Sequence, residues 1–182
     1  MKVFILVIVG VIAISILGYA TFTYKISQTK LASPEKTDSY QDGKTSMSVF
    51  YCSPSKKDRK IFGELVPYNE VWRTGANEAT TFTFNYDIFF DDIKVPAGTY
   101  TVFTIPTEAY WTVILNSKSY KWGINYDGTP IRDPAYDVAS VKAMVNQTKA
   151  PVENFTIEFE HRVNLSMSWD YTKITVPISY TP

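Results

Sequence analysis

Two patterns of hydrophobic and polar positions divide the chain. Residues 3–24, VFILVIVGVIAISILGYATFTY, carry no charge between Lys2 and Lys25. From Thr45 onward the apolar positions alternate instead. In TSMSVFY, Met47, Val49 and Tyr51 share one face. In ATTFTFNY, Phe82, Phe84 and Tyr86 share one face, and Thr81, Thr83 and Asn85 the other. Strict alternation is the mark of a half-buried strand.

The same reading continues through IFF (88–90) to a turn at Asp91-Asp92 and a bend at Pro96–Gly98, and predicts strands at Tyr100–Ile105 and YWTVILN (110–116), with a hairpin at Pro106–Ala109. It continues through ENFTIEFEH (153–161), LSMSWD (165–170) and TKITVPIS (172–179). DVASVKAMVNQ (137–147) fits either a helical face or a strand; the surrounding β pattern makes it a strand. Seven to nine short strands at close spacing predict an all-β fold, an antiparallel β-sandwich, behind one N-terminal hydrophobic helix. The expected organisation is a membrane anchor or signal over residues 1–24, a polar linker over 25–44 and the sandwich over 45–182.

As a helix, residues 3–24 span ~33 Å, enough for a hydrocarbon core of ~30 Å. The expected partner of residues 3–24 is therefore a membrane. Gly18-Tyr19-Ala20 also places small residues where a signal peptidase cuts, so a cleaved signal remains the alternative. Lys25, Lys30 and Lys36 after the span, against Lys2 before it, would hold the C-terminal part inside. The short basic N-terminus resembles a signal n-region instead, and the reading places the domain outside the cytoplasm.

Roughly 135 residues after the linker form one domain of common size. Equal numbers of basic and acidic residues, 18 each, supply no field to recruit nucleic acid. Aromatics at 15% agree with a β-rich core. A single cysteine, Cys52, excludes an internal disulfide, and with the single histidine, His161, it excludes the usual zinc ligand sets within one chain. No cofactor or metal is expected. Cys52 after a strand reads as a packing residue, and His161 beside Arg162 as an exposed turn residue.

The densest candidate chemistry lies in VWRTGANEAT (71–80). Arg73 can clamp a carboxylate or sulfate with its planar fork, Trp72 can stack on a sugar face, and Asn77 and Glu78 can accept sugar hydroxyls. The alternative is a crowded turn, with Gly75 and Asn77 at positive φ, Arg73 paired to Glu78 or Asp92, and Trp72 covering the core. Trp122, Gly123, Tyr126, Arg132 and Asp133 sit in the longest loop, where ligand contacts concentrate. KKDRK (56–60) reads as an anion patch or a solvated loop. The tentative ligand-binding set is Trp72, Arg73, Asn77, Glu78, Trp122 and Arg132, with no catalytic residue assigned.

Long segments carry a family resemblance. YCSPS (51–55), IFGELVPYNEVWRTGANEAT (61–80), VPAGTYTVFTIP (95–106), WTVILN (111–116), KWGINYD (121–127) and FTIEFE (155–160) resemble the family called domain of unknown function 2911. The resemblance implies a β-sandwich behind an export signal in a bacterial envelope, and it carries no activity. Members often have Arg before the first Pro where this chain has Ser53, so an anion site built on that Arg is not carried over. The expected function is non-enzymatic binding of a carbohydrate or another envelope component by a membrane-tethered domain. The alternatives are a hydrolase-like enzyme using acidic residues near Arg73, or a structural subunit of an envelope complex.

Overall fold

The computed structural model describes residues 2–161 and 163–180. It divides into two compact units, residues 1–32 and 33–182.

The first unit is one helix, α1 (Lys2–Ala32), with no buried residue. It is long and apolar enough to cross a membrane. Its hydroxyls turn back onto the helix: Ser15 donates to the Val11 carbonyl at 2.9 Å, and Thr21 to the Leu17 and Gly18 carbonyls at 3.0 and 2.9 Å. Side chains satisfied in this way suit a solvent that offers no hydrogen bonds. Gly18-Tyr19-Ala20 lies inside this unbroken helix. Residues 25–32, expected as tether, continue it, because ISQTKLA holds no breaker before Pro34.

The second unit holds eleven strands among the described residues, and these strands pair antiparallel. One layer is a six-stranded sheet. Its strands in chain order are β1 (Glu35–Asp42), β2 (Thr45–Cys52), β3 (Thr81–Phe84), β6 (Gly98–Pro106), β7 (Tyr110–Asn116) and β8 (Asp137–Met144), which is also their spatial order. Between β3 and β6 the chain leaves this sheet. There β4 (Ile88–Phe90) and β5 (Ile93–Val95) pair with each other, and β4 also pairs with β11 (Ile178–Tyr180). This small sheet and the hairpin of β9 (Asn146–Glu160) with β10 (Asn164–Val176) supply the second layer.

The expected linker thus contributes an edge strand: Glu35 pairs with Cys52 and Asp42 with Thr45. EKTDSYQD has only one large apolar side chain, Tyr40, so its alternation is nearly invisible as hydropathy. The strand count exceeds seven to nine for this reason and because Ile93–Val95, too short to show an alternation, forms a further strand against β4. DVASVKAM is a strand, with Ala139, Val141 and Ala143 buried.

Met47, Val49, Phe82, Phe84, Val102, Trp111, Val113 and Leu115 face Phe155, Ile157, Leu165, Met167, Trp169 and Ile174 in one core. Phe103 and Ile114 alternate with these residues and so point to the other side of the sheet, yet they are fully buried. The loop over residues 117–136 covers them: the Tyr120 ring meets Phe103 edge-on at 5.4 Å. That loop is the bridge between fold and candidate site.

Candidate functional site

Arg73 stands where segment 71–80 crosses the long loop. Its Nη1 donates to the Asn77 carbonyl at 3.0 Å and to the Trp122 carbonyl at 3.3 Å. Its hydrogen bonds therefore go to main-chain carbonyls, and the expected pairing with Glu78 or Asp92 does not form. Glu78 acts at longer range. Burial lowers the Arg73 pKa, and the nearby Cys52 and Glu78 oppose that shift. Ala79 donates its N–H to the Lys121 carbonyl at 3.2 Å, a further tie between the two segments. At Gly123, φ +71°, a Cβ would sit 3.2 Å from the Arg73 Cβ, so the close crossing needs glycine there.

The turn itself is strained and well braced. Thr74, Gly75 and Asn77 have φ of +58°, +142° and +50°. Positive φ was expected for Gly75 and Asn77. For the β-branched Thr74 it is costly, of order 1–3 kcal/mol. Thr74 is fully buried; its hydroxyl donates to Thr104 Oγ1 at 3.2 Å, and its carbonyl accepts the Thr80 hydroxyl at 2.6 Å. A Cβ on Gly75 would lie 3.0 Å from the Cys52 carbonyl oxygen.

The other candidates separate by role. Trp72 is held by backbone bonds to Thr104 at 2.7 and 2.9 Å. Its ring stacks on Trp169 at 6.0 Å and meets Phe155 edge-on at 5.0 Å. Those contacts occupy the face that a sugar would need, so Trp72 belongs with the core. Asn77 is buried, and its Nδ2 donates to the Ser33 carbonyl at 3.1 Å. Glu78 accepts the Cys52 thiol at 3.3 Å. Burial, together with that hydrogen bond, pushes the thiol up to about 11, so Cys52 stays a protonated packing residue. Ser53 is buried and donates to the Phe155 carbonyl at 2.6 Å, tying β2 to β9.

Arg132 lies further along the loop in a two-point contact with Asp137, at 2.7 Å for Nη2 and 3.1 Å for Nε to Oδ2. Asn116 Nδ2 donates to Asp137 Oδ1 at 2.8 Å and to the Asp133 carbonyl at 2.9 Å. Tyr120 Oη accepts the Asp133 N–H at 2.9 Å. Beyond this brace the chain makes a small turn. Ile124 bridges Pro130, and Asp127 accepts the Thr129 N–H and hydroxyl at 2.9 and 2.7 Å, which lowers the Asp127 pKa. Tyr126 stands at the tip, fully exposed. Glu70, Val71, Pro130 and Arg132 line an open depression of about 310 Å³.

The six tentative residues therefore do not form one cleft. Arg73, Asn77 and Trp122 are joined directly, Glu78 turns to Cys52, Trp72 to the core, and Arg132 to the depression. Hydropathy gave no sign of Glu70 as a wall of that depression. KKDRK is held by its own chain: Lys56 lies 3.5 Å from Asp170, Lys60 lies 3.3 Å from Glu64, and Arg59 Nε donates to the Lys56 carbonyl at 3.0 Å. His161 is an exposed turn residue at φ +46°.

The class so defined is an antiparallel β-sandwich behind an apolar N-terminal helix, with a braced loop over one sheet face. A family model described as protein of unknown function (DUF2911) matches residues 33–178, and the chain belongs to that family. The match begins just ahead of β1, as does the compact unit. No curated protein and no solved structure matches the chain.

Proposed function

We propose that the protein is a membrane-tethered, non-catalytic binding domain of the bacterial cell envelope, lying outside the cytoplasm, whose ligand is a carbohydrate or another envelope component. The observation that carries the reading is the braced loop. Arg73 and the Arg132–Asp137 pair hold residues 117–136, and the loop presents an exposed Tyr126 and contributes Pro130 and Arg132 to the depression they form with Glu70 and Val71. A fixed loop that displays an aromatic loses little conformational entropy on binding. Of the tentative set Trp122 remains as a contact, because Arg132 is held by Asp137 and Trp72 and Asn77 are committed to the interior.

The hydrolase-like alternative needs two carboxyl groups flanking a bond. Around Arg73, Glu78 is engaged with Cys52, and Asp92 makes no contact with Arg73. Binding is the better fit to that arrangement. The test is capture from a panel of envelope glycans by the full chain in lipid discs, with a reporter after Pro182 scored for protease access in spheroplasts. Selective capture by wild type, lost in Tyr126→Ala, supports the reading. A panel with no captured member, or a protected reporter, counts against it.

A further inference from the structure

We propose that the groove between the β3–β4 turn and β5 seats one pyranose ring of a neutral glycan. This rests on the reading that the ligand is a carbohydrate, and it adds a second seat for that glycan, apart from the braced loop. Asn85, Tyr86, Asp87, Phe89, Lys94 and Ala97 line an open groove of about 430 Å³. That lies within the ~300–1,000 Å³ of small-molecule sites.

The groove combines an aromatic surface with a polar pair on rigid elements. Ile88 and Phe90 anchor β4 in the core, fully buried, while Phe89 between them is 41% exposed. Alternation alone would leave a polar residue there. Lys94 sits directly across from Phe89 in the β4–β5 ladder, and its ammonium lies 3.2 Å from Asp87 Oδ2. The Ala97 N–H donates to Asp87 Oδ1 at 3.1 Å, and these two contacts keep the carboxylate ionised. Both groups retain capacity. A carboxylate offers about four acceptor positions and an ammonium three donors. Adjacent equatorial hydroxyls of a pyranose can accept from Lys94 and donate to Asp87 while the C–H face lies on Phe89.

Charge and the adjoining surface decide the sugar class. Asp87 and Lys94 cancel, so the groove holds no net charge to favour a polyanion. Its Asn85 lip joins the outward row of the six-stranded sheet, for Ser46 donates its N–H to Asn85 Oδ1 at 2.7 Å. In that row Ser48 pairs with Thr83 and Thr83 with Thr99, with the two threonine hydroxyls 2.9 Å apart. An uncharged hydroxyl strip beside a ring seat fits a chain of neutral sugars.

The experiment is calorimetric titration of the full chain in detergent with a soluble neutral β-glucan oligosaccharide, and with a polyuronate of the same length. The expected result is binding of the neutral glycan, weakened about tenfold or more by Phe89→Ala and by Asp87→Asn, with melting unchanged. Tyr126→Ala provides the comparison. Loss of binding in Tyr126→Ala with none in Phe89→Ala overturns the groove and leaves carbohydrate binding standing. Polyuronate binding as tight as the neutral glycan overturns the neutral class. If neither glycan binds, and no member of the wider panel is captured, the carbohydrate reading falls and the groove with it.

Discussion

Arg73→Ala isolates the contact on which the loop surface depends. The substitution removes two hydrogen bonds from a half-buried guanidinium, at 3.0 Å to the Asn77 carbonyl and 3.3 Å to the Trp122 carbonyl. A hydrogen bond to a charged group contributes ~1.5–3 kcal/mol. The second bond is long, and water can reach part of the vacated site, so the expected cost is about 2–4 kcal/mol. For a domain of this size each kcal/mol moves the melting temperature by ~2–4 °C, so thermal denaturation should show a loss of roughly 5–15 °C. Arg73→Lys keeps the charge but has no planar fork, and should recover about half of the loss. Hydrogen exchange would locate the damage in residues 121–123 and 77–79. A shift below about 2 °C for Arg73→Ala, or full recovery with Lys, would refute the two-carbonyl staple.

Four further outcomes follow from the geometry. Phe84→Asp should unfold the domain, because it places a carboxylate at a 2% exposed core position, while the outward Thr83→Asp should cost under ~1 kcal/mol; circular dichroism melts compare them. A chain starting at residue 33 should fold alone, whereas one starting at residue 45 should melt far lower, since it lacks β1 and the Pro34 and Ser33 carbonyls that accept from Ser53 N and Asn77 Nδ2. Gly75→Ala should destabilise by more than the ~1 kcal/mol typical of a mid-strand change, because φ is +142° and the Cys52 carbonyl lies 3.0 Å from the new Cβ. For Cys52 the folded thiol titrates near 11 against an ordinary value of 9.0, so above pH 9 the unfolded chain releases a proton that the folded one retains. Stability from this group is complete below pH 9 and falls by about 2–3 kcal/mol as pH rises to 11; denaturant titrations of wild type should show that extra slope relative to Cys52→Ala.

The core was legible because it obeys period two. Met47, Val49, Phe82 and Phe84 could be placed from alternation alone, and the structure buries each of them. β1 was not legible, since its partners are backbone groups of β2 and seven of its eight side chains are polar or charged. The turn chemistry of Gly75 and Asn77 could be read from residue type. Thr74 at positive φ could not, because its support comes from Thr104 and Thr80 through space. Arg73 was singled out by residue type, yet its partners are carbonyls, which every residue carries and no pattern marks. Phe89 and Lys94 were hidden for a similar reason: their adjacency is a matter of β4–β5 register.

The central claim is that the braced loop is a binding surface, held by residues that do not themselves need to touch the ligand. Tyr126→Ala tests it most directly, because the side chain is fully exposed and its removal should leave the fold intact. Titration of the best glycan from the panel into wild type and Tyr126→Ala, with a melt on each sample, should show unchanged melting and binding weakened about tenfold or more. Equal affinity for the two proteins would contradict the account.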